Sequence, residues 1–396
     1  MQTNSDFMGR DIYDTVFEEV SKLEFFPKHI QLFPTNRCNV DCIFCWRHRA
    51  DEIEMEKISE DRLIEIVETV CELNPEIFSI SGGGEPLLKK DFLSKASRIL
   101  SNYGGIKTEL ITNGTLFDRE LVKNLIKNRL ECIRLSLNAP NSETEDYLLN
   151  RDGSFKDQIN SLEMIKNEKE RFNSSLPDID LSMVITKHNF QYIQEMLHLA
   201  DRYDASLQIR TVIEPYGHEK KFSVPSEKRD ELLDEIKEAE NLADELQVDF
   251  KKDFKKEDLM EESNDEGKSD GTKLPSRSQE KSVEDLLNCL RDGDSEKILS
   301  EYAVCELPFL EINIFADGNV APCAGAFFTG NQDPSAISEY VDSVFQKSLE
   351  EIWNGKKFNR MRAFSLLQDL PEPCRNCNEN FVKQSESLKK ETVDKN

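Results

Sequence analysis

The stretch TNRCNVDCIFCWR, residues 35–47, places Cys38, Cys42 and Cys45 within eight positions at the spacing C-x3-C-x2-C. Cysteines this close together can bind a metal, form a disulfide or fill a core. The N-terminus shows no basic-then-apolar export signal, so we expect reduced thiols in a cytoplasmic protein. Three thiolates on one loop can bind three irons of a [4Fe–4S] cluster and leave the fourth iron open, whereas structural zinc usually needs four ligands.

The other seven of the ten cysteines fall into two groups. Cys71 shares a helical apolar stripe, Cys132 opens a strand-like run and Cys289 lies in a short helical stretch, so these three are predicted to be structural. The second candidate ligand set comprises Cys305, Cys323, Cys374 and Cys377. Its C-x-x-C pair suits structural zinc and iron–sulfur equally well.

The elements that must position the first cysteines alternate in type along residues 29–212. Strands are predicted at 29–33, 76–81, 108–112, 132–138, 179–185 and 206–212. Helices are predicted at 57–73, 90–103, 118–129, 189–203 and, from a capping box of Ser142 and Glu145, from 142 to about 170. Six such units are fewer than the eight of a complete barrel, which predicts an α/β fold with a partial (β/α)6 TIM barrel. The cysteine loop then lies at the carboxyl end of the first strand, where such barrels build their sites.

The rest of the chain varies in its apolar and charged content. Residues Pro225–Leu246 predict an acidic amphipathic helix, and 251–280 are too charged to bury a core, which predicts a disordered insertion. Asp317-Gly318 predicts a hairpin, with a helix near 346–364. The expected domains are an N-terminal extension (1–27), the barrel core (28–215), an acidic helical and disordered insertion (216–302), a small α+β domain (303–385) and a polar tail (386–396).

The net charge of -26 disfavours nucleic acid and anionic membrane surfaces as partners. No stretch approaches the roughly 20 apolar residues that a spanning helix needs. We therefore predict no nucleic-acid partner and no membrane partner.

With these motifs in that order, the sequence resembles the radical SAM superfamily. Besides the cysteines, the resemblance includes Phe44, the segment SGGGEP after the second strand, TNGTL at 112–116 after the third, and Ser136-Leu137-Asn138 at the end of the fourth. It implies that the open iron binds S-adenosylmethionine (SAM) and that reductive cleavage yields methionine and a 5′-deoxyadenosyl radical, which abstracts hydrogen from a substrate. The cofactor then carries the difficult chemistry, and the protein orients it.

The resemblance also implies roles for single residues. Cofactor contacts are expected from Phe44, Gly83, Gly84, Glu85, Pro86, Ser136, Asn138 and Arg210. Among these, Phe44 is expected near the adenine, the Gly-Gly-Glu-Pro segment near the methionine ammonium, and Ser136 near the ribose. Asn138 stands where the superfamily usually has Asp. Arg210 could contact the SAM carboxylate or the substrate, Trp46 could contact substrate or simply pack, and no catalytic base can be named.

The second cysteine set resembles the twitch/SPASM extension of radical SAM enzymes. Cys305 and Cys323 flank the hairpin, and the C-x-x-C pair follows a helix that contains Trp353. Four cysteines, rather than the roughly seven of a full SPASM module, imply one auxiliary [4Fe–4S] cluster with no open iron. Such a cluster would move electrons, which favours a net oxidation of the substrate.

The sequence therefore predicts a radical SAM oxidoreductase supplied with electrons by flavodoxin or ferredoxin. A small-molecule substrate is preferred, because only about 28 residues precede the first strand, too few for a peptide-binding domain. A maturase that forms C–C or C–S crosslinks in a peptide is the alternative. An alternative of another class is a non-enzymatic binding protein stabilised by zinc at both cysteine sets.

Overall fold

The computed structural model describes residues 4–45, 57–212, 219–254, 282–303, 305–324, 341–367 and 374. The chain divides into two compact units. The larger unit comprises residues 31–265 and 315–317, and the smaller unit comprises 1–30, 266–314 and 318–396. The predicted disorder over 251–280 is wrong at its start, because Phe250–Lys252 form a strand and the structure describes the chain to residue 254. The remaining residues 255–280, the tail 386–396, Trp46 and Cys377 lie outside the described residues. The five predicted domain boundaries stay predictions.

Ten strands occur in the described part of the chain: β1 (His29–Leu32), β2 (Ile77–Ile80), β3 (Lys107–Thr112), β4 (Cys132–Ser136), β5 (Asp178–Ile185), β6 (Ala205–Thr211), β7 (Phe250–Lys252), β8 (Glu311–Ile314), β9 (Asn319–Ala321) and β10 (Asp342–Ser343). Strands β1 to β7 neighbour one another in chain order, and β2 to β7 pair in parallel. The prediction of a parallel sheet built from β/α units is confirmed.

The helices of the described residues are α1 (Asn4–Val20), α2 (Glu60–Leu73), α3 (Lys90–Tyr103), α4 (Arg119–Lys127), α5 (Ser142–Leu149), α6 (Ser154–Phe172), α7 (Ile193–Arg202), α8 (Arg229–Leu246), α9 (Val283–Asp292), α10 (Ser295–Glu301), α11 (Leu307–Leu310), α12 (Leu349–Trp353) and α13 (Lys356–Leu366). Helix α2 shows why they form: Ser59 accepts the N–H of Arg62 at the amino end. Its buried stripe includes Cys71, and Cys132 and Cys289 are buried as well. The prediction that these three cysteines are structural is confirmed.

The predicted capping box and long helix after β4 are wrong. The cap of α5 is Asn141, whose side chain accepts the N–H of Thr144, and Glu145 turns inward instead. Helix α5 ends at Leu149 and is followed by Asn150, which is left-handed with φ 50°, and α6 begins after Gly153 with φ 80°. A left-handed residue breaks the run of helical hydrogen bonds, so two helices replace the single predicted one.

The sheet continues one strand beyond the six that the sequence predicts. Strand β7 pairs in parallel with β6, with Leu207 beside Phe250 and Ile209 beside Lys252. Its three residues are mostly lysine, which hides it from a search for apolar strands. Helix α8 leads into it and buries Leu232 and Ile236, as its amphipathic pattern predicts.

The hairpin predicted from Asp317-Gly318 is present, and its two strands belong to the smaller unit. Strands β8 and β9 pair antiparallel, and Gly318 takes φ 88°, a left-handed conformation that favours glycine. Helices α12 and α13 follow, with Trp353 buried. No helix in the described ranges is long and apolar enough to cross a membrane.

Candidate functional site

The cysteine loop after β1 is anchored on the carboxyl end of α5. The N–H of Asp41 donates to the carbonyl of Leu149 at 3.1 Å, and the N–H of Ile43 donates to that of Leu148 at 2.9 Å. The side-chain amide of Asn150 donates to Asp41 at 3.3 Å. These bonds fix the backbone that carries Cys42.

The three thiols of this loop influence one another electrostatically. Burial raises the pKa of Cys42 well above its usual value, and the charges of Cys45, Cys38 and then Glu145 raise it further. The N–H of Cys45 donates to the carbonyl of Cys42 at 2.9 Å, so the two lie on one turn. Within the described residues no group of three Cys, His, Asp or Glu side chains stands at metal-ligand spacing. A partly buried set of three interacting thiols on one loop nevertheless fits a cluster that takes three thiolate ligands.

The glycine segment after β2 is fastened to the chain that enters the cysteine loop. The N–H of Gly84 donates to the carbonyl of Thr35 at 3.0 Å, and the N–H of Glu85 donates to that of Arg37 at 2.7 Å. A Cβ at residue 84 would lie 1.8 Å from the carbonyl oxygen of Arg37, so only glycine fits there. The segment therefore supports Cys38 from the side of β2.

The carboxylate of Glu85 accepts hydrogen bonds from other residues of the chain. It accepts from the N–H of Leu87 at 2.8 Å, the hydroxyl of Thr112 at 2.5 Å and the N–H of Asn113 at 2.8 Å. Burial raises its pKa to about 7, against the opposing effect of these three hydrogen bonds. Glu85 thus fastens the loop after β2 to the loop after β3, and Pro86 opens a buried turn beside it. Contact between the Gly83–Pro86 segment and an ammonium group stays a prediction.

Asn113 is a site residue that sequence reasoning missed. Its side-chain nitrogen lies 3.9 Å from the sulfur of Cys38 and donates to Asn39 at 3.0 Å. Its side-chain oxygen accepts from Thr115, whose hydroxyl also accepts from Asn39. The signal was present in the TNGTL segment, where a short amide follows a buried strand.

The hydrogen bonds of Asn138 give this residue a structural role. Its side-chain oxygen accepts the N–H of Val184 at 3.1 Å, its own N–H donates to Glu145 at 2.8 Å, and its carbonyl accepts from Asn189 at 2.8 Å. Asn138 therefore ties β4 and β5 to α5, and its contact with a cofactor, like that of the half-buried Ser136, stays a prediction.

Glu145 and Gln158 form a buried acid–amide pair beneath the cysteine loop. Both amide N–H groups of Gln158 are used, by the carbonyls of Asn113 at 3.0 Å and Ser136 at 2.9 Å. Its oxygen is buried and accepts no hydrogen bond, although the side chain contacts Glu145. Burial raises the pKa of Glu145 to about 8. A protonated Glu145 can donate to that oxygen, so the pair is satisfied when the acid is neutral.

The inner face of β4 to β6 is polar. Arg134 donates to Asp180 at 2.7 Å, and Ser206 donates to the same carboxylate at 3.0 Å. Arg210, near the end of β6, donates to Gln208 at 2.8 Å, and its Nε lies 3.8 Å from Asp253 without a hydrogen bond. The Arg210 side chain is 30% exposed, so it can accept a further anionic partner.

The second cysteine set lies in the smaller unit. Ser365 on α13 holds Cys305 twice: it accepts the N–H of Cys305 at 2.9 Å and donates to its carbonyl at 2.6 Å. Cys323 follows β9, and Cys374 is described alone. Partly buried cysteines whose backbone is held by α13 suit a thiolate-ligated cluster.

Two family models match the chain. The Radical SAM superfamily matches residues 32–200, and the SPASM iron–sulfur cluster-binding domain matches residues 305–378. The first range contains Cys38, Cys42 and Cys45, and the second contains the four cysteines of the smaller unit. These domains imply SAM, a [4Fe–4S] cluster and auxiliary iron–sulfur binding.

The chain is also similar to individual known proteins. Mycofactocin maturase MftC of Mycolicibacterium smegmatis is 27% identical over 184 residues, which are 46% of this chain and 44% of that protein. PqqA peptide cyclase of Granulibacter bethesdensis is 23% identical over 349 residues, which are 87% of this chain and 77% of the cyclase. SuiB of Streptococcus suis bound to SAM superposes with a TM-score of 0.61 at 18% identity, covering 90% of this chain and 73% of SuiB. The match spans less than half the length of MftC, and the SuiB likeness shows the fold.

The cysteine spacing, the parallel sheet and both family models agree. This chain carries a radical SAM domain followed by a C-terminal SPASM iron–sulfur domain.

Proposed function

We propose that this protein is a radical SAM maturase that oxidatively modifies a peptide. The observation that carries the proposal is the match to a peptide cyclase over 349 residues, 87% of the chain, because it is far longer than the radical SAM domain alone. Mycofactocin maturase MftC is also similar, over 46% of this chain. SuiB bound to the precursor peptide SuiA shares the fold with a TM-score of 0.58.

This proposal replaces the small-molecule substrate preferred from the sequence. That preference depended on the short stretch before β1, whereas the similar proteins include a PqqA peptide cyclase and SuiB bound to a precursor peptide. Oxidation of a small molecule remains the second candidate, because the same two cysteine sets would serve it.

The chemistry depends on groups that the cysteines would hold. When bound, a reduced cluster with SAM supplies a 5′-deoxyadenosyl radical that takes one hydrogen atom from the substrate. In an oxidation the substrate then gives up one further electron and one proton, which forms a new bond or a double bond. The four cysteines of the smaller unit would hold the one-electron acceptor, and a flavodoxin or ferredoxin would supply the electron that starts the cycle.

The described residues would orient these groups. Gly84 and Glu85 would hold the approach to Cys38, while Asn138 and Glu145 would hold the helix beneath Cys42. The polar inner face around Arg134, Asp180 and Arg210 would suit the amides and charged side chains of a peptide.

The test uses anaerobically reconstituted protein with SAM and dithionite. It is incubated with synthetic peptides encoded by short reading frames beside the gene and, separately, with a panel of sugars and cyclitols. We expect 5′-deoxyadenosine in both cases, and a peptide product lighter by two hydrogen atoms or carrying a new crosslink. A product only from the sugar panel would favour the second candidate, and absence of 5′-deoxyadenosine under all conditions would contradict both.

A further inference from the structure

Helices α3 and α4 carry a basic surface on an acidic protein. Residues 89–129 contain nine lysines and arginines against four aspartates and glutamates, a net charge of +5, whereas the whole chain has -26. The two helices lie side by side, where Asn124 donates to Ser94 at 3.4 Å and Asn128 donates to Ser97 at 2.9 Å. An acidic protein is therefore attracted to this surface and repelled by the rest of the chain, which has a net charge of -31.

Four cations of this surface form no ion pair with another described residue. Lys123 and Lys127 stand one turn apart on α4, and Arg129 follows that helix. Arg98 is exposed on α3. The ion pairs that the two helices do form use other cations, namely Lys90, Lys95 and Arg119. Unpaired charges at the protein surface can attract a partner of opposite charge and orient it.

A short chain of bonded atoms joins the start of α3 to the first cysteine set. Leu88 is 43% exposed and donates its N–H to the carbonyl of Glu85 at 3.1 Å. Glu85 in turn donates its N–H to the carbonyl of Arg37 at 2.7 Å, and Arg37 is covalently bonded to Cys38. Electrons tunnel faster through bonded atoms than through empty space, so Leu88 marks a point of the surface from which an electron can reach a cluster at Cys38.

The basic surface extends to this point. Lys90, the first residue of α3, donates to Asp118, the cap of α4, at 2.6 Å, so both helices begin beside the loops that support Cys38. Arg119, whose side chain is 73% exposed, lies in line with Lys123 and Lys127 at helical spacing. A protein that binds the two helices therefore also covers Leu88.

We propose that the basic surface of α3 and α4 binds an acidic one-electron carrier protein, which reduces the cluster held by Cys38, Cys42 and Cys45. The inference rests on the proposed function, in which each cycle starts with one electron. That electron leaves the reduced carrier, which is oxidised by one electron, and enters the oxidised cluster, which is reduced by one. Electron-transfer encounters use small interfaces, and opposite charges set their rate and alignment.

The test compares a protein reductant with a small one. Reconstituted protein receives either dithionite or a flavodoxin, which is acidic, kept reduced by its reductase, and calorimetry gives the dissociation constant for the flavodoxin. Two variants change the basic surface: Lys123→Glu combined with Lys127→Glu on α4, and Arg98→Glu on α3. Lys237→Glu is the matched control, because Lys237 is exposed on α8 and forms no ion pair with a described residue.

Both basic-surface variants should bind flavodoxin more weakly, the double variant by about tenfold at low salt, and added salt should reduce the difference by screening the charges. Formation of 5′-deoxyadenosine should slow with flavodoxin but not with dithionite, which needs no docking surface and so also reports that the variants are folded. If both variants bind flavodoxin as tightly as Lys237→Glu does, the inference is overturned. If the unsubstituted protein forms no 5′-deoxyadenosine with dithionite, the proposed function fails instead, and the dissociation constants still decide whether this surface binds the carrier.

Discussion

The side-chain nitrogen of Asn113 lies 3.9 Å from the sulfur of Cys38, and the same nitrogen donates to Asn39 at 3.0 Å. The contact joins the loop after β3 to the first cysteine of the loop after β1. Hydrogen bonds to cluster sulfurs help to set reduction potential. Asn113 is therefore placed to influence a cluster bound by the first cysteine set.

Replacing Asn113 by Asp should make that cluster harder to reduce and slow the formation of 5′-deoxyadenosine. The variant keeps the oxygen that accepts from Thr115 but replaces the donor near Cys38 with a negative charge. Redox titration of the reconstituted protein checks this. Asn124→Asp makes the same chemical change on α4, where Asn124 contacts Ser94, and should leave the potential unchanged. Equal potentials in both variants would show that the contact has no electronic role.

Gly84→Ala should displace the cysteine loop. The new Cβ would meet the backbone oxygen of Arg37 at 1.8 Å, and a backbone atom cannot turn aside as a flexible side chain can. We expect the iron content to fall from about eight to about four per chain, because the second cysteine set belongs to the other compact unit. Iron and sulfide analysis measures it, and the surviving auxiliary cluster serves as an internal control for folding. A variant that keeps all of its iron would contradict the strain argument.

Glu145 should make the stability of the protein depend on pH. Burial raises its pKa from 4.5 to about 8, so the folded chain holds a proton that the unfolded chain has already released. Stability from this group is fully present below pH 4.5 and is lost as the pH rises through about 8. Glu145→Gln keeps a neutral donor for Gln158 and should remove this dependence.

Urea denaturation at pH 6 and pH 9 measures the effect. Glu145→Gln should exceed the unsubstituted protein by roughly 2 kcal/mol at pH 6, which is already above the unfolded pKa of 4.5, and by roughly 5 kcal/mol at pH 9. Glu145→Ala should be less stable than Glu145→Gln by about 2–4 kcal/mol at both pH values, because it leaves Asn138 and Gln158 without a buried partner. A difference between the Gln variant and the parent that is constant with pH would mean that Glu145 is ionised in the folded state.

Replacing a cysteine of the first set and one of the second set should impair different steps of the reaction. Cys42→Ala should abolish 5′-deoxyadenosine, because the first cluster would lack a ligand. Cys305→Ala should leave SAM cleavage measurable and abolish the oxidised peptide product. Chromatography of the nucleoside and mass spectrometry of the peptide report on the two steps separately. Loss of SAM cleavage in both variants would argue against an auxiliary role for the second set.

The fold could be predicted well from the sequence because its strands are short apolar runs separated by helices with clear stripes. The helix stripe of α2 with Cys71 is such a case. The predicted capping box after β4 was wrong because two adjacent polar residues could each cap the helix. Asn141 rather than Ser142 caps α5, since local hydrogen bonding alone cannot decide between adjacent capping residues.

The site could be predicted in part. The spacing of the cysteines identified them as candidate ligands. The residues that support their loop, however, follow other strands of the sheet. Asn113, Glu145 and Gln158 lie far from Cys38 in the chain, and their partners could not be inferred without the sheet register.

The anchoring of the cysteine loop has a consequence for the order in which the protein is made. Asp41 is bound by Asn150, 109 positions later in the chain, and by the carbonyl of Leu149. On the ribosome, the three cysteines emerge well before the helix that holds their loop. We therefore expect the loop to take its final shape only after α5 has left the exit tunnel, and a chain truncated before α5 would keep its thiols but lose the support that shapes them.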